Sequence, residues 1–530
     1  MVALVFFGCF PYLGRLNNPN ENVRAYMTLA LVDQHTFAID QVVAERGWVN
    51  DMARVPQPNG SAKLYSVKSP GVSYMAVPAY AVYKVAAARV ASLKEPAAYF
   101  RGAVFAMRAW AVALPNFLFL VAFERLLRRY VGDATLRLMA VLAVAFASNF
   151  LAYTLMLTSH ALFASCAFLA FGLWAEELLR VHEDKLPART IRALCTGFFA
   201  ACITATDYQG FVLSACVALA APAVFWRPRH LAALALGASV PTGAVLYFHA
   251  RAFGSMFTPG HKFCENPEFA HKHAQGFYGF SATPDLKAFL NLAYHPTYGF
   301  FSTSPFMILG LVAAVGLLLW PGGLPGASAR ARRVVLGVGV LCMLLLWLAL
   351  SSANNWRGGW AVGPRLLGAA PPFFAFAAAW GLARLSQRAP RLRPGLFALA
   401  AGLLLAGVLR IGLISVVYPS VPEDVSRPLE QLVWPLVRAG YVPHNFAELV
   451  GAQYAGFGAI VLCMFLAPLL LLSRGATTWA KRLSLQAGAL LVASGVCVAV
   501  SRAPLPPDQL GYDGKGALGL LQSIWEPSRK

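Results

Sequence analysis

Long apolar runs recur from one end of this chain to the other, and the segments between them alternate in kind: a short basic cluster, then a polar stretch bearing His or Trp, then a basic cluster again. The runs are roughly 18 to 23 residues long, enough for a helix to cross about 30 Å of hydrocarbon, where an open backbone cannot satisfy itself. They predict helices near 1–15, 101–123, 135–156, 160–180, 193–206, 209–226, 231–250, 298–320, 333–351, 365–385, 395–417, 453–473 and 480–501, about 13 in all. Basic clusters lie at Arg125 to Arg137, Arg180 to Arg192 with Lys185, Arg227 to His230, Arg330 to Arg333, Arg388 to Arg393 and Arg474 to Arg482. If all are cytoplasmic, neighbouring clusters must be separated by two helices and one outer loop, and the apolar runs obey this. The expected fold is an all-α polytopic membrane protein.

One further stretch, Gly71 to Val90, is apolar enough to span, but counting it would invert every later assignment. With Pro78, Lys84 and Arg89 inside it, it reads as a helix lying in the outer interface. The first outer loop then covers 16–100. Together with the loop 251–297 it belongs to a transmembrane module over 1–320, while 321–530 supplies C-terminal helices and the outer loops 352–364 and 418–452.

Composition agrees: 58% of the 530 residues are hydrophobic and only 13% charged, outside the range of a soluble domain. The formal charge of +21 is spent on the flanks of apolar segments, so it speaks for topology and not for a nucleic-acid partner. Nine cysteines are scattered, mostly within apolar runs, and give neither a disulfide framework nor a CxxC metal site. The run Met1 to Gly14 has no cationic lead and no A-x-A pattern after it; it is expected to be a first helix whose start is placed too late.

Candidate chemistry gathers in the outer loops. Glu21, in Asn17-Asn18-Pro19-Asn20-Glu21-Asn22-Val23-Arg24-Ala25-Tyr26, stands just past the first helix, where partial shielding raises a carboxyl towards neutrality and suits it to act as a general base; an ion pair with Arg24 at i, i+3 is the plainer reading. Lys68 precedes the Pro70-Gly71 corner that opens the interfacial helix, a place for a phosphate or, equally, for a lysine snorkelling to headgroups. Arg365, after the outer segment Asn354-Asn355-Trp356-Arg357-Gly358-Gly359-Trp360, falls in the first predicted turn of a helix, where a cation opposes the macrodipole unless an anion compensates. Trp356 and Arg357 belong to the same loop, and tryptophans there form either an aromatic belt or a sugar-stacking face. His160, Asp207 and Tyr208 lie at the outer tips of helix pairs, and His261 and Tyr298 in or at the end of the loop 251–297; all are candidates to line one cavity. His271 and His273, at i, i+2, share a side only on a strand, so a zinc site there is a weak expectation. No G-x-S-x-G, Walker A or dinucleotide fingerprint is present.

In order and placement these motifs resemble the GT-C superfamily of polyprenyl-phosphate-dependent glycosyltransferases, notably protein O-mannosyltransferases and lipid A aminoarabinose transferases. Asn20-Glu21 with Arg24 and Tyr26 is similar to an acidic motif after the first helix, and Lys68-Ser69-Pro70 to a Lys-Pro motif opening a juxtamembrane helix. The resemblance implies an integral membrane enzyme, in a bacterial inner membrane with its site facing outwards. It would transfer a sugar from a polyprenyl-phosphate carrier to a lipid, glycan or protein acceptor with inversion, Glu21 taking the acceptor proton and Lys68, Arg365 and Arg24 holding the donor phosphate. Asn20 replaces the first acid of the family's pair, and Ser159-His160 a tip that is often acidic; either change removes a metal ligand or a second acid. No cofactor is certain from these residues, and dependence on a divalent metal is in doubt. A multi-spanning transporter is the alternative, although helix centres hold almost no ionisable residues and no two-half repeat is visible; a non-catalytic relative that binds lipid-linked sugars is another.

Overall fold

The computed structural model describes all residues except 12–17, 180–185, 277–278, 321–327, 475–477, 506–508, 510–512 and 524–530. Asn17, Arg180 and Lys185 thus lie outside the described residues. The chain is an all-α membrane protein with two small two-stranded sheets. Among the described residues, seven helices are long and apolar enough to cross a membrane: Pro96–Leu127, His160–Leu179, Pro228–Phe253, Ala329–Ser351, Pro390–Val417, Gln453–Ser473 and Trp479–Ser501. Ala134–Phe146, Tyr208–Ala223 and Met307–Leu319 are shorter apolar helices.

Predicted and observed helices coincide within a few residues for most of the chain, and the exceptions have physical causes. The first run is helical over Val2–Gly8; Cys9–Phe10 then pairs antiparallel with His444–Asn445, so a strand ends that helix at Gly8, and the expected helical residues 12–15 lie outside the described ones. The run 135–156 is two helices, Ala134–Phe146 and Asn149–Thr154, because Ser148 caps the second through its Oγ, which accepts from Phe150 N at 3.2 Å. The run 298–320 is likewise split into Phe300–Thr303 and Met307–Leu319. The helix expected from 365 begins at Ala370, behind a short 3₁₀ turn Arg365–Leu367. That removes Arg365 from a helix first turn and with it the macrodipole argument made for that residue.

The segment before Pro96–Leu127 folds into a helix Pro19–Asp33, a short helix Asp40–Arg46, a hairpin of Met52–Pro56 and Ala62–Ser66, and the helix Gly71–Ala87. The last packs antiparallel along the start of Pro96–Leu127 through Tyr80, Tyr83 and Tyr99: the Tyr83 hydroxyl donates to the Tyr99 carbonyl at 3.0 Å and the Tyr80 and Tyr99 hydroxyls are 3.2 Å apart. Both ends of the molecule are tied by charge. At one end Arg129 meets Glu176 at 2.8 Å, Arg189 meets Glu177 at 3.1 Å, and Arg393 meets Asp133 at 2.6 Å. The other end holds the candidate site.

Candidate active site

Three helix ends and one corner build the site. Asn18 caps the helix Pro19–Asp33, its side chain accepting from Asn20 N at 2.9 Å, with Pro19 in the first turn, where its missing N–H costs nothing. This start presents Asn20, Glu21 and Arg24, all buried. Arg24 spends its guanidinium hydrogens on three partners: Asn20 Oδ1 at 2.9 Å, the Ser69 carbonyl at 3.0 Å and Ser159 Oγ at 2.9 Å. Ser69 in turn donates to the carbonyls of Ala205 at 2.6 Å and Thr204 at 3.0 Å. Those carbonyls end the helix Leu186–Thr206 and would otherwise go unpaired. The Lys68-Ser69-Pro70 corner is therefore pinned to that helix end, and Gly71 lies so close to it that a Cβ would stand 2.4 Å from the Ala205 oxygen.

Asp207 follows directly. Its Oδ2 accepts from Ser159 Oγ at 2.9 Å and faces His160 Nδ1 at 3.1 Å. Burial by itself raises the Asp207 carboxyl, but His160, Arg24 and the Ser159 hydroxyl outweigh it and hold the group well below the usual carboxylate range. Tyr208 hydrogen-bonds His249 Nε2 through its hydroxyl at 2.7 Å, and its ring lies 6.0 Å from that of His261, which is 4.7 Å from His273.

Lys68 has a partner that its sequence surroundings do not announce. Asp51, in the turn before the hairpin, places Oδ1 2.9 Å from Lys68 Nζ. Burial raises the Asp51 carboxyl, yet Lys68, Arg365 and Arg24 together bring it below its ordinary range. One carboxylate thus sits in the field of all three cations expected to hold a phosphate.

Arg365 enters from the second half of the chain. The segment before it is fixed by Asn149 Nδ2, which donates to the Pro364 carbonyl at 3.0 Å, and by the Tyr153 hydroxyl, which donates to the Val362 carbonyl at 3.1 Å. Its side chain lies over Gly358, whose φ of +83° already favours glycine and whose Cβ, if present, would meet Arg365 Nε at 2.7 Å. Arg365 Nε is buried without a hydrogen-bond partner, and no ion pair of Arg365 is found among the described residues.

Of the residues expected in one cavity, the structure brings together Arg24, Lys68, Arg365, His160, Asp207, Tyr208 and His261. Tyr298, Trp356 and Arg357 form a stack of their own: the Arg357 guanidinium lies 4.6 Å above the Tyr298 ring, Trp356 is 5.6 Å from it, and Arg357 donates to the Glu423 carbonyl at 3.0 Å. Glu21 is more enclosed than a carboxylate at a helix exit, 2% exposed, with Oε1 accepting from Leu157 N at 2.7 Å. His271 and His273 lie on the helix Pro267–Ala274, where i, i+2 positions diverge; this corrects the strand geometry that a zinc pair needs. No cluster of three or more His, Cys, Asp or Glu suited to a metal exists among the described residues. Asp51, engaged with Lys68, and Asp207, engaged with Ser159 and His160, do not make a metal's donor set.

No family model matches the chain, and no curated protein sequence does. Among solved structures, the fold is similar to ArnT from Cupriavidus metallidurans bound to undecaprenyl phosphate, at 17% identity and a TM-score of 0.48, with 94% of this chain and 75% of that one covered. The apo form of the same protein is similar at 16% identity and a TM-score of 0.48, covering 94% and 74%. The oligosaccharyltransferase of Archaeoglobus fulgidus is similar at 13% identity and a TM-score of 0.43, covering 80% of this chain and 55% of that one.

Proposed function

We propose that this chain is an integral membrane glycosyltransferase that takes a sugar from a polyprenyl-phosphate carrier and gives it to an acceptor hydroxyl at the outer face of the membrane. The observation that carries the reading is Arg365: a cation with a buried, unpartnered Nε, beside Arg24 and next to the Lys68–Asp51 pair. A buried donor without an acceptor costs about 1–3 kcal/mol, and more for a charged group, so the position asks for an anion. An apolar cleft of about 310 Å³ between Met307–Leu319, Ala329–Ser351 and Ala370–Arg388, lined by Phe301, Leu311, Val335, Met343, Trp347 and Phe374, would suit part of a polyprenyl tail.

In this mechanism the acceptor oxygen attacks the anomeric carbon opposite the phosphate, forming the new C–O bond with inversion. The old C–O bond breaks with its electron pair leaving on the lipid phosphate, and the acceptor proton passes to Glu21. Lys68, Arg365 and Arg24 share the charge that grows on the phosphate. A positioned base contributes typically about 10² to 10⁴ in rate, and fixed donors aimed at developing charge about 10² to 10³ each.

The test is transfer of radiolabelled sugar from polyprenyl-phosphate donors by the reconstituted protein. Glu21→Gln is expected to lose at least about 100-fold in transfer while still binding undecaprenyl phosphate, and Arg365→Ala to lose the binding itself. Wild-type transfer by Glu21→Gln would remove Glu21 as the base. Failure of the wild type to prefer undecaprenyl phosphate over undecaprenol would overturn the function.

A further inference from the structure

Glycosyl transfer changes the charge of the group held by the three cations. The donor is a phosphodiester with a single negative charge, whereas the lipid phosphate left behind is a monoester close to −1.5 to −2 at neutral pH, a second pKa near 6 being usual. In a partly buried site that extra charge is weakly screened. The same cradle therefore holds product more tightly than substrate, and product release becomes the slow step unless something competes for the cations.

The chain carries such a competitor. Asp51 stands on Lys68 at 2.9 Å, with side-chain exposures of 14% and 18%, and it is held from below by backbone: Val67 N donates to the Asp51 carbonyl at 3.2 Å, and Glu265 N to the Met52 carbonyl at 2.9 Å. The backbone of the turn is thus fixed while the carboxylate needs only a side-chain rotation to leave Lys68. Resting on the transfer reading above, we infer that Asp51 is an internal anion that the donor phosphate displaces from Lys68 and that re-pairs with Lys68 after transfer to expel the lipid phosphate. Asp51 is in this sense a positioning residue, acting through Lys68, and the bond-making step does not involve it.

The experiment measures undecaprenyl phosphate binding to the full chain in nanodiscs, with undecaprenol as the control, together with single-turnover and steady-state transfer. Asp51→Asn is expected to bind undecaprenyl phosphate about tenfold more tightly, equivalent to about 1.4 kcal/mol. The ratio of its single-turnover to steady-state rate should rise by a similar factor, seen as a burst. Asp51→Ser, which keeps a small polar residue in the turn, should do the same, and Asp51→Glu should stay near wild type. If Asn and Ser variants bind the lipid phosphate no more tightly than wild type, or show no burst, Asp51 is a structural partner only and the inference falls. Wild-type protein with no preference for undecaprenyl phosphate over undecaprenol would instead sink the transfer reading beneath it.

Discussion

Most charged members of the site stand where an apolar run ends: Glu21 and Arg24 after the first, His160 and Asp207 at helix tips, Arg365 after the Trp-Arg-Gly-Gly-Trp loop. A charge in such a place is legible because lipid excludes it from the run itself. Asp51 was not legible, since what gives it meaning is Lys68, reached only when the intervening residues double back as a hairpin. Arg108 is a second case, a fully buried cation inside Pro96–Leu127 whose Nη1 donates to the Cys9 carbonyl at 2.8 Å, a contact made by the strand that the hydrophobic pattern hid. His261 carries a testable consequence at this scale. Burial, then the charges of Lys68 and His273, push its imidazole down to about 3, against about 6.5 in an unfolded chain. Between those values the unfolded chain binds the extra proton, so stability falls as pH drops through about 6.5 towards 3 and is fully present above that window. Thermal unfolding in detergent should therefore lose more of its midpoint between pH 7 and pH 5 in the wild type than in His261→Gln; equal losses would show that this imidazole is not held neutral.

Among the elements, those written in a single period were legible and those closed by side-chain geometry were not. Gln453–Ser473 and Trp479–Ser501 lie almost where their apolar runs place them, whereas the break at Ser148 depends on one hydroxyl cap. Asn59-Gly60-Ser61, whose pattern matches a glycosylation acceptor, lies in the hairpin turn, with Gly60 at φ +81° and Gln57 N donating to the Ser61 carbonyl at 2.8 Å. The corner at Lys68 to Gly71 is the element on which the site leans most. In Gly71→Ala the new methyl meets backbone, the Ala205 oxygen at 2.4 Å, and neither helix can yield without opening the Ser69 bonds to Thr204 and Ala205. The expected cost is about 1–3 kcal/mol, seen as a lower thermal midpoint, together with weaker binding of undecaprenyl phosphate as Lys68 shifts. Gly102→Ala serves as the contrast, because its methyl meets the end of the Tyr83 side chain, which can move. Equal effects of the two substitutions on lipid-phosphate binding would refute the importance of the corner.

For the whole molecule, the alternation of basic clusters and polar loops translates into two poles, and the poles decide the path of Gly71–Ala87. Helix Pro96–Leu127 ends at the basic pole, since Arg129 just beyond it pairs with Glu176 near the end of His160–Leu179, whose beginning lies at the site. It must therefore begin towards the site pole. Gly71 starts its helix at the same pole, against Ala205. A crossing by Gly71–Ala87 would deliver the chain to the basic pole and leave Pro96 at the wrong end. With 32 residues, Pro96–Leu127 spans about 48 Å at 1.5 Å per residue, longer than the hydrocarbon layer, so its first turns extend past the membrane with Gly71–Ala87 lying beside them. This puts Lys94, exposed in the connection between the two, on the same side as Arg24, Lys68 and Arg365. A cysteine at Lys94, in a chain whose native cysteines are replaced, should react in intact cells with a membrane-impermeant thiol reagent, while one at Arg391 beside the basic pole should react only after lysis. Labelling of both from outside would mean that the helix crosses and that the cation site faces the cytoplasm, where an outward-facing acceptor could not reach it; protection of both would mean that the helix crosses while that site stays outside, and labelling of position 391 alone that the site faces the cytoplasm without a crossing.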